Sequence, residues 1–141
     1  MAEARVIVDT GPLVAFLVKE EKHHRWAKEQ FQKLPAPFLT CDAVLTETFF
    51  LLRKLPHGAT RFFALLNSGL LTVDFSIIAE GPGLERLVRR YSNVPMSLTD
   101  ACLVTLAKEN PRAVVFTLDR DFLIYRRDGR QAIPLVMPLQ E

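Results

Sequence analysis

Four acidic residues in this chain stand where a carboxylate needs a reason. Asp9 ends the apolar run Val6-Ile7-Val8, which reads as a buried strand, and Asp119 closely follows a second such run, Val114 to Thr117. Asp100 shares a helical stripe with Leu103, Val104 and Ala107, at i+3, i+4 and i+7, so it lies in the face that should turn to the core. Glu47 lies at the edge of its helix's apolar arc, beside Val44 and Leu51. Gathered without compensation, such carboxylates repel one another, raise each other's pKa or open the cleft between them. A divalent cation resolves the conflict. Oxygen-only ligands select hard ions, so Mg²⁺ or Mn²⁺ is expected rather than zinc, and His23, His24 and His57 lack zinc spacing. An ion held this way orients phosphate oxygens and lowers the pKa of bound water, which makes phosphodiester hydrolysis the natural chemistry.

Each acid also has a plainer reading. Asp100, near a helix start, can cap free backbone N–H groups; Ser97 and Thr99 could do so equally well, and capping is compatible with holding a cation. Glu47 can simply reach solvent along the protein boundary. Asp119 can shape a turn through its own backbone hydrogen bonds. Asp121 is a possible fifth acid but is better placed to cap the short helix after it, and Thr10 is read as orienting Asp9.

The elements that position these residues alternate. After the first strand, Gly11 supplies a sharp turn and Pro12 suits a first helical residue, so the chain passes directly into a buried helix ending near Val18. An amphipathic helix follows from His24 to Leu34, stopped by Pro35-Ala36-Pro37, then a strand at Phe38 to Cys41. Asp42 is placed to cap a helix through Arg53 or Lys54, which carries Glu47. A helix over Thr60 to Leu66 ends before Gly69, a strand follows at Leu70 to Phe75, and Ser76 can cap a segment to Tyr91 that Gly81-Pro82-Gly83 splits or delays. A helix from Leu98 to Glu109 leads into the strand before Asp119, and an edge strand at Ile133 to Val136 closes the chain. This alternation implies the α/β class, a mainly parallel sheet with right-handed crossovers and helices on both faces.

At 141 residues, 49% hydrophobic and 24% charged, the chain fits one soluble globular domain over residues 1–141. A net charge of +2 does not by itself announce a nucleic-acid binder. Cys41 and Cys102 have no metal-ligand spacing and read as reduced intracellular thiols. No signal-peptide pattern and no run long enough to span a bilayer is present, so the expected location is the cytoplasm.

Val6-Ile7-Val8-Asp9-Thr10-Gly11-Pro12, Glu47 on the third helix, Ser97-Leu98-Thr99-Asp100-Ala101 and Phe116-Thr117-Leu118-Asp119-Arg120-Asp121-Phe122 together resemble the PIN domain family, nearly end to end. The resemblance is greatest to the small VapC-like toxins of toxin–antitoxin pairs. It implies a three-layer α/β/α fold with a five-stranded parallel sheet. It also implies a metal-dependent endoribonuclease site of Asp9, Glu47, Asp100 and Asp119. On that reading Asp9 and Asp100 are the principal metal ligands, Glu47 and Asp119 complete the shell partly through water, and Thr117 matches the family's usual hydroxyl residue. A homodimer and a bound antitoxin are implied as partners.

Arg120, Arg126, Arg127 and Arg130 follow the last acid closely enough to meet substrate phosphates, or else form a solvated face. Phe50, Phe62, Phe63, Leu65 and Leu66 offer more apolar surface than one helix face needs, which reads as an interface or as core. Trp26 and Tyr91 read as packing residues. Two other functions compete with an RNA nuclease. One is a non-catalytic interaction module whose acids hold a structural ion or dock an Arg-rich peptide. The other is an enzyme acting on DNA or on phosphate esters, although Asp9-Thr10-Gly11 lacks the second acid of the Asp-x-Asp phosphatase signature. No base-reading motif separates RNA from DNA.

Overall fold

Five short parallel strands form the centre of the molecule, in the order β3-β2-β1-β4-β5. In this computed structural model residues 5–139 are described, so the expected domain over 1–141 extends beyond them at both ends. β1 (Val6–Val8) leads into α1 (Thr10–Leu17) and α2 (His24–Lys33), β2 (Phe38–Thr40) into α3 (Asp42–Leu52) and α4 (Gly58–Leu66), and β3 (Leu71–Val73) into α5 (Gly81–Arg90) and α6 (Leu98–Glu109). β4 (Val114–Phe116) then gives a short 3-10 helix, Arg120–Leu123, before the edge strand β5 (Leu135–Val136). The chain winds outward from β1 to β3 and returns to place β4 on the other side of β1, so the direction of winding reverses between β1 and β4. In such sheets the crevice beyond the strand ends at that reversal is where ligands bind.

Apolar burial holds this arrangement. Val6, Ile7, Val8, Leu39, Val115 and Phe116 are almost wholly buried, each large aliphatic side chain contributing about 1.5–3 kcal/mol. Phe31 of α2 packs its ring against Phe16, Phe38 and Phe116, with centroids 4.5, 4.9 and 5.0 Å away, tying α1 and α2 to the sheet. α6 is buried at every position from Asp100 to Ala107, which is why its sequence shows little polar alternation.

Several boundaries differ from expectation, each for a local reason. α1 begins at Thr10 rather than Leu13, because the Asp9 carboxylate caps it; Pro12 is third in the helix, where an N–H would lack an intrahelical partner. α4 begins at Gly58 rather than Thr60, at a site where a Cβ would come within 1.8 Å of the Leu52 carbonyl oxygen. Asp42 does not cap α3: it is the first helical residue, and Cys41 takes the cap position without a side-chain bond. α5 starts only at Gly81 with Pro82 second, while Ser76 closes a separate turn by accepting from the Ala79 N–H at 3.2 Å. Among the described residues no helix is long and apolar enough to cross a membrane.

Candidate active site

The register between β1 and β4 determines what Asp9 meets. Val8 pairs with Phe116, and the Asp9 N–H donates to the Phe116 carbonyl at 3.0 Å, so Asp9 and Thr117 leave the sheet side by side. The Thr117 hydroxyl donates to Asp9 Oδ2 at 2.7 Å, and the Thr10 N–H donates to Asp9 Oδ1 at 2.7 Å. With both oxygens engaged, the carboxylate is held in one orientation. Thr117 Oγ1 also accepts from the Asp119 N–H at 2.9 Å, so one buried hydroxyl positions the acids of both strands.

Asp100 reaches the same place from the first turn of α6. The Ser97 hydroxyl caps its N–H at 3.0 Å, which leaves the Asp100 carboxylate free of capping duty. Its Oδ2 accepts instead from Tyr125 Oη at 2.9 Å. Glu47, exposed on α3, contributes the fourth acid. A cavity of about 530 Å³ is lined by Asp9, Glu47, Asp100 and Asp119, together with Thr10 and Ser97.

Crowding and burial are visible in the acids' proton affinities. Burial raises the Asp9 carboxyl from the ordinary 3.8 to about 6 against the two threonine hydrogen bonds, and the charges of Asp100 and Asp119 add to the rise. Asp100 is also raised, first by burial and then by the Asp119 and Asp121 charges, against the hydrogen bonds from Tyr125 and Ser97. Tyr125 is pushed well above the usual phenol range by burial and by the carboxylate it serves.

Whether such a site suits a hard divalent ion depends on its donors. The polar groups facing the cavity are dominated by carboxylate and hydroxyl oxygens, and Thr10 Oγ1 is buried on its wall without a hydrogen-bond partner. Among the described residues no three His, Cys, Asp or Glu side chains converge tightly enough to cage an ion. The fit to a hard ion such as Mg²⁺ rests on the oxygen donors alone, since that ion uses one or two carboxylates and completes its octahedron with water and substrate phosphates.

Residues 6–128 match the PIN domain family. The chain belongs to that family. Among solved structures it is similar to VapC20 of Mycobacterium tuberculosis, a toxin that cleaves the sarcin–ricin loop, with 25% identity and a TM-score of 0.71 over 82% of this chain and 91% of that one. No curated protein matches.

Other residues singled out in the sequence fall into place around this PIN domain site. Thr10 was expected to orient Asp9; its backbone N–H does so, and its hydroxyl does not. Asp119, not Asp121, caps the 3-10 helix, because the helix starts at Arg120; Asp119 Oδ1 accepts from the Asp121 N–H at 2.9 Å. Asp121 is outside the cavity lining and acts on Asp100 only through its charge. Arg126 donates to the Leu123 and Tyr125 carbonyls, and Arg127 to Pro111 O and Gln131 Oε1, so both guanidinium groups hold main chain and neighbours together, and neither lines the acid cavity. Arg120 is exposed, with the Met137 sulfur 3.7 Å away.

Two contributions escaped the sequence reading. Tyr125 is fully buried and needs a partner for its hydroxyl, but nothing local to it points to Asp100, 25 residues away. Glu21 and His23 sit in a charged connection that looks like any solvated loop, yet both line the acid cavity.

Proposed function

We propose that this PIN domain protein is a Mg²⁺- or Mn²⁺-dependent endoribonuclease, the toxin of a toxin–antitoxin pair, with residues 1–141 acting as one nuclease domain. The observation that carries the reading is the meeting of Asp9, Glu47, Asp100 and Asp119, from four separate elements, on one cavity at the reversal point of the sheet. The similarity to VapC20, a sarcin–ricin loop cleaving toxin, supports RNA over DNA.

Asp9 and Asp100 would hold the ion, with Glu47 and Asp119 reaching it partly through water. When bound, the ion supplies neutralisation of phosphate charge and a lowered pKa for water. Thr117 holds the Asp9 carboxylate and the Asp119 backbone in a fixed relation, so little reorganisation is needed as the phosphate arrives. Tyr125 fixes Asp100 in the same way. Glu47 and Asp119 orient the attacking water and accept its proton. Thr10 and Asp121 support the acids, and Arg120 meets substrate phosphate, with Arg126 and Arg127 reaching it only by exchanging their present partners.

The outer surface of α3 and α4 exposes Phe50, Phe63 and Leu66, with Leu55 exposed between the two helices, and we assign the homodimer and antitoxin contacts to this apolar surface. The location is the cytoplasm, with the RNA. Purified protein should cleave RNA in proportion to added Mg²⁺ or Mn²⁺, and folded Asp9→Asn or Asp100→Asn variants should not. Undiminished cleavage by both variants would overturn the mechanism. A short antitoxin-like gene immediately upstream is the corresponding expectation for the partner.

A further inference from the structure

The acid cavity has a neighbour of opposite charge. His23 and Leu118 line the acid cavity and also a second cavity of about 550 Å³, whose walls include Lys22, Arg25, Trp26 and Arg120. One acid, Glu29, is among the residues lining it. The two spaces therefore share a wall, one side carboxylate-rich and the other cationic.

The cations of the second space are available. Lys22 and Arg25 are exposed and make no hydrogen bond or ion pair among the described residues, and Arg120 has only a weak thioether acceptor nearby. Arg126 and Arg127, by contrast, are committed to carbonyl oxygens. Trp26 is half-buried and held from the core side by an edge contact with Phe116, centroids 5.4 Å apart. Such an anchored indole loses little freedom when a base stacks on it.

We propose that this cleft binds the stretch of single-stranded RNA adjoining the cleaved bond, with phosphates on Lys22, Arg25 and Arg120 and a base against Trp26. A strand whose scissile phosphate lies among the acids must continue somewhere, and this adjoining space carries the charge that attracts it. An aromatic platform is usable by an unstacked base and not by one paired inside a duplex, which selects a loop or single strand. The inference rests on the nuclease reading for its direction, although binding itself is measurable without cleavage.

Trp26 is the chain's one tryptophan, so its emission reports the cleft directly. Wild-type protein in EDTA is titrated with a short single-stranded RNA at several salt concentrations, alongside the Lys22→Ala/Arg25→Ala/Arg120→Ala variant. RNA should quench Trp26, and the slope of log K against log salt should be smaller in the variant by about 2, three phosphate contacts at ~0.7 each. An Arg25→Lys variant, which keeps the charge, should retain most of the slope. Absence of quenching, or an unchanged slope in the triple variant, would overturn the proposal. So would equal quenching by poly-glutamate at matched charge, which would make the occupant an acidic protein segment. Salt-dependent quenching in a protein that cleaves no RNA with Mg²⁺ or Mn²⁺ would support the cleft and remove the nuclease reading instead.

Discussion

The acid cavity and the outer surface of α3 and α4 are opposite kinds of cost carried by one fold. In the first, Asp9 and Asp100 are removed from water beside other carboxylates, and burial raises both above the ordinary carboxylate range. In the second, Phe50 is 58% exposed and Phe63 48% exposed, large apolar groups left in water. The acids sit at strand ends and in a helix's first turn, oriented by hydrogen bonds from Thr10, Thr117 and Tyr125. Phe50 and Phe63 sit on outward helix faces, Phe63 with its ring against Phe49 and the buried Phe62. A buried charge cluster demands one geometry and so suits chemistry, whereas an exposed apolar face tolerates many arrangements and suits a partner. α3 serves both, with Glu47 and Leu51 on the cavity and Phe50 at its outer side.

The largest effect expected is on cleavage. Asp100→Asn should lower RNA cleavage by about a thousandfold, several kcal/mol of lost charge stabilisation, with the folded state retained by circular dichroism. Cleavage near the wild-type rate would mean that the acid cluster is structural, and the contrast between the two regions would collapse.

Next is the cost of the buried charge itself. Because the folded-state pKa of Asp9 is raised, the native protein binds this proton more tightly than the unfolded chain. The group therefore favours folding less as pH rises from 3.8 through about 6, and above that value its ionised form is a net cost. Asp9→Asn should stabilise the metal-free protein above pH 6 by up to about 3 kcal/mol, the gain fading below pH 3.8. Urea unfolding at a series of pH values measures this; a destabilised variant at pH 8 would show that the hydrogen bonds outweigh burial.

Tyr125→Phe should act more gently, removing the hydrogen bond that lowers the Asp100 pKa. Its expected result is a ten- to hundredfold loss of Mg²⁺ affinity, in the range found for residues that orient metal ligands, read by metal titration of cleavage. An unchanged titration curve would deny Tyr125 a positioning role. The smallest effect belongs to the apolar surface: Phe50→Ser with Phe63→Ser should leave monomer stability within about 0.5–1 kcal/mol while shifting any dimer toward monomer in sedimentation. A large loss of stability in that pair would place these rings in the core instead.

The α/β class, the parallel sheet and the unusual placing of Asp9, Asp100 and Asp119 were legible because each rests on local chemistry, whereas Glu47, at the edge of an apolar arc, was singled out only by the likeness to the PIN domain family. A β-branched run ending in Asp9 or Asp119 reads the same in any fold, and an aspartate in the buried stripe of a helix, as at Asp100, is conspicuous wherever it occurs. Helix starts were less legible, since α1 begins where the Asp9 carboxylate turns back to cap it and α4 where only a residue without a Cβ fits. Gly58 is explained only by the Leu52 carbonyl above it, and the start of the 3-10 helix decided that Asp119 rather than Asp121 would cap it.

By itself, then, the sequence determined which residues are acidic, which segments bury themselves and in what order strands and helices follow. Tertiary structure alone decided that β4 lies beside β1, which put Thr117 against Asp9 across 108 residues of chain, and that Tyr125 meets Asp100. It also decided that Lys22, Arg25 and Arg120 line one cleft next to the acids while Arg126 and Arg127 are engaged with carbonyl oxygens. The physical reason is the same throughout: propensity and periodicity act over a few residues, whereas hydrogen-bond partners, burial and the field at a carboxylate are set by whatever the completed sheet brings alongside.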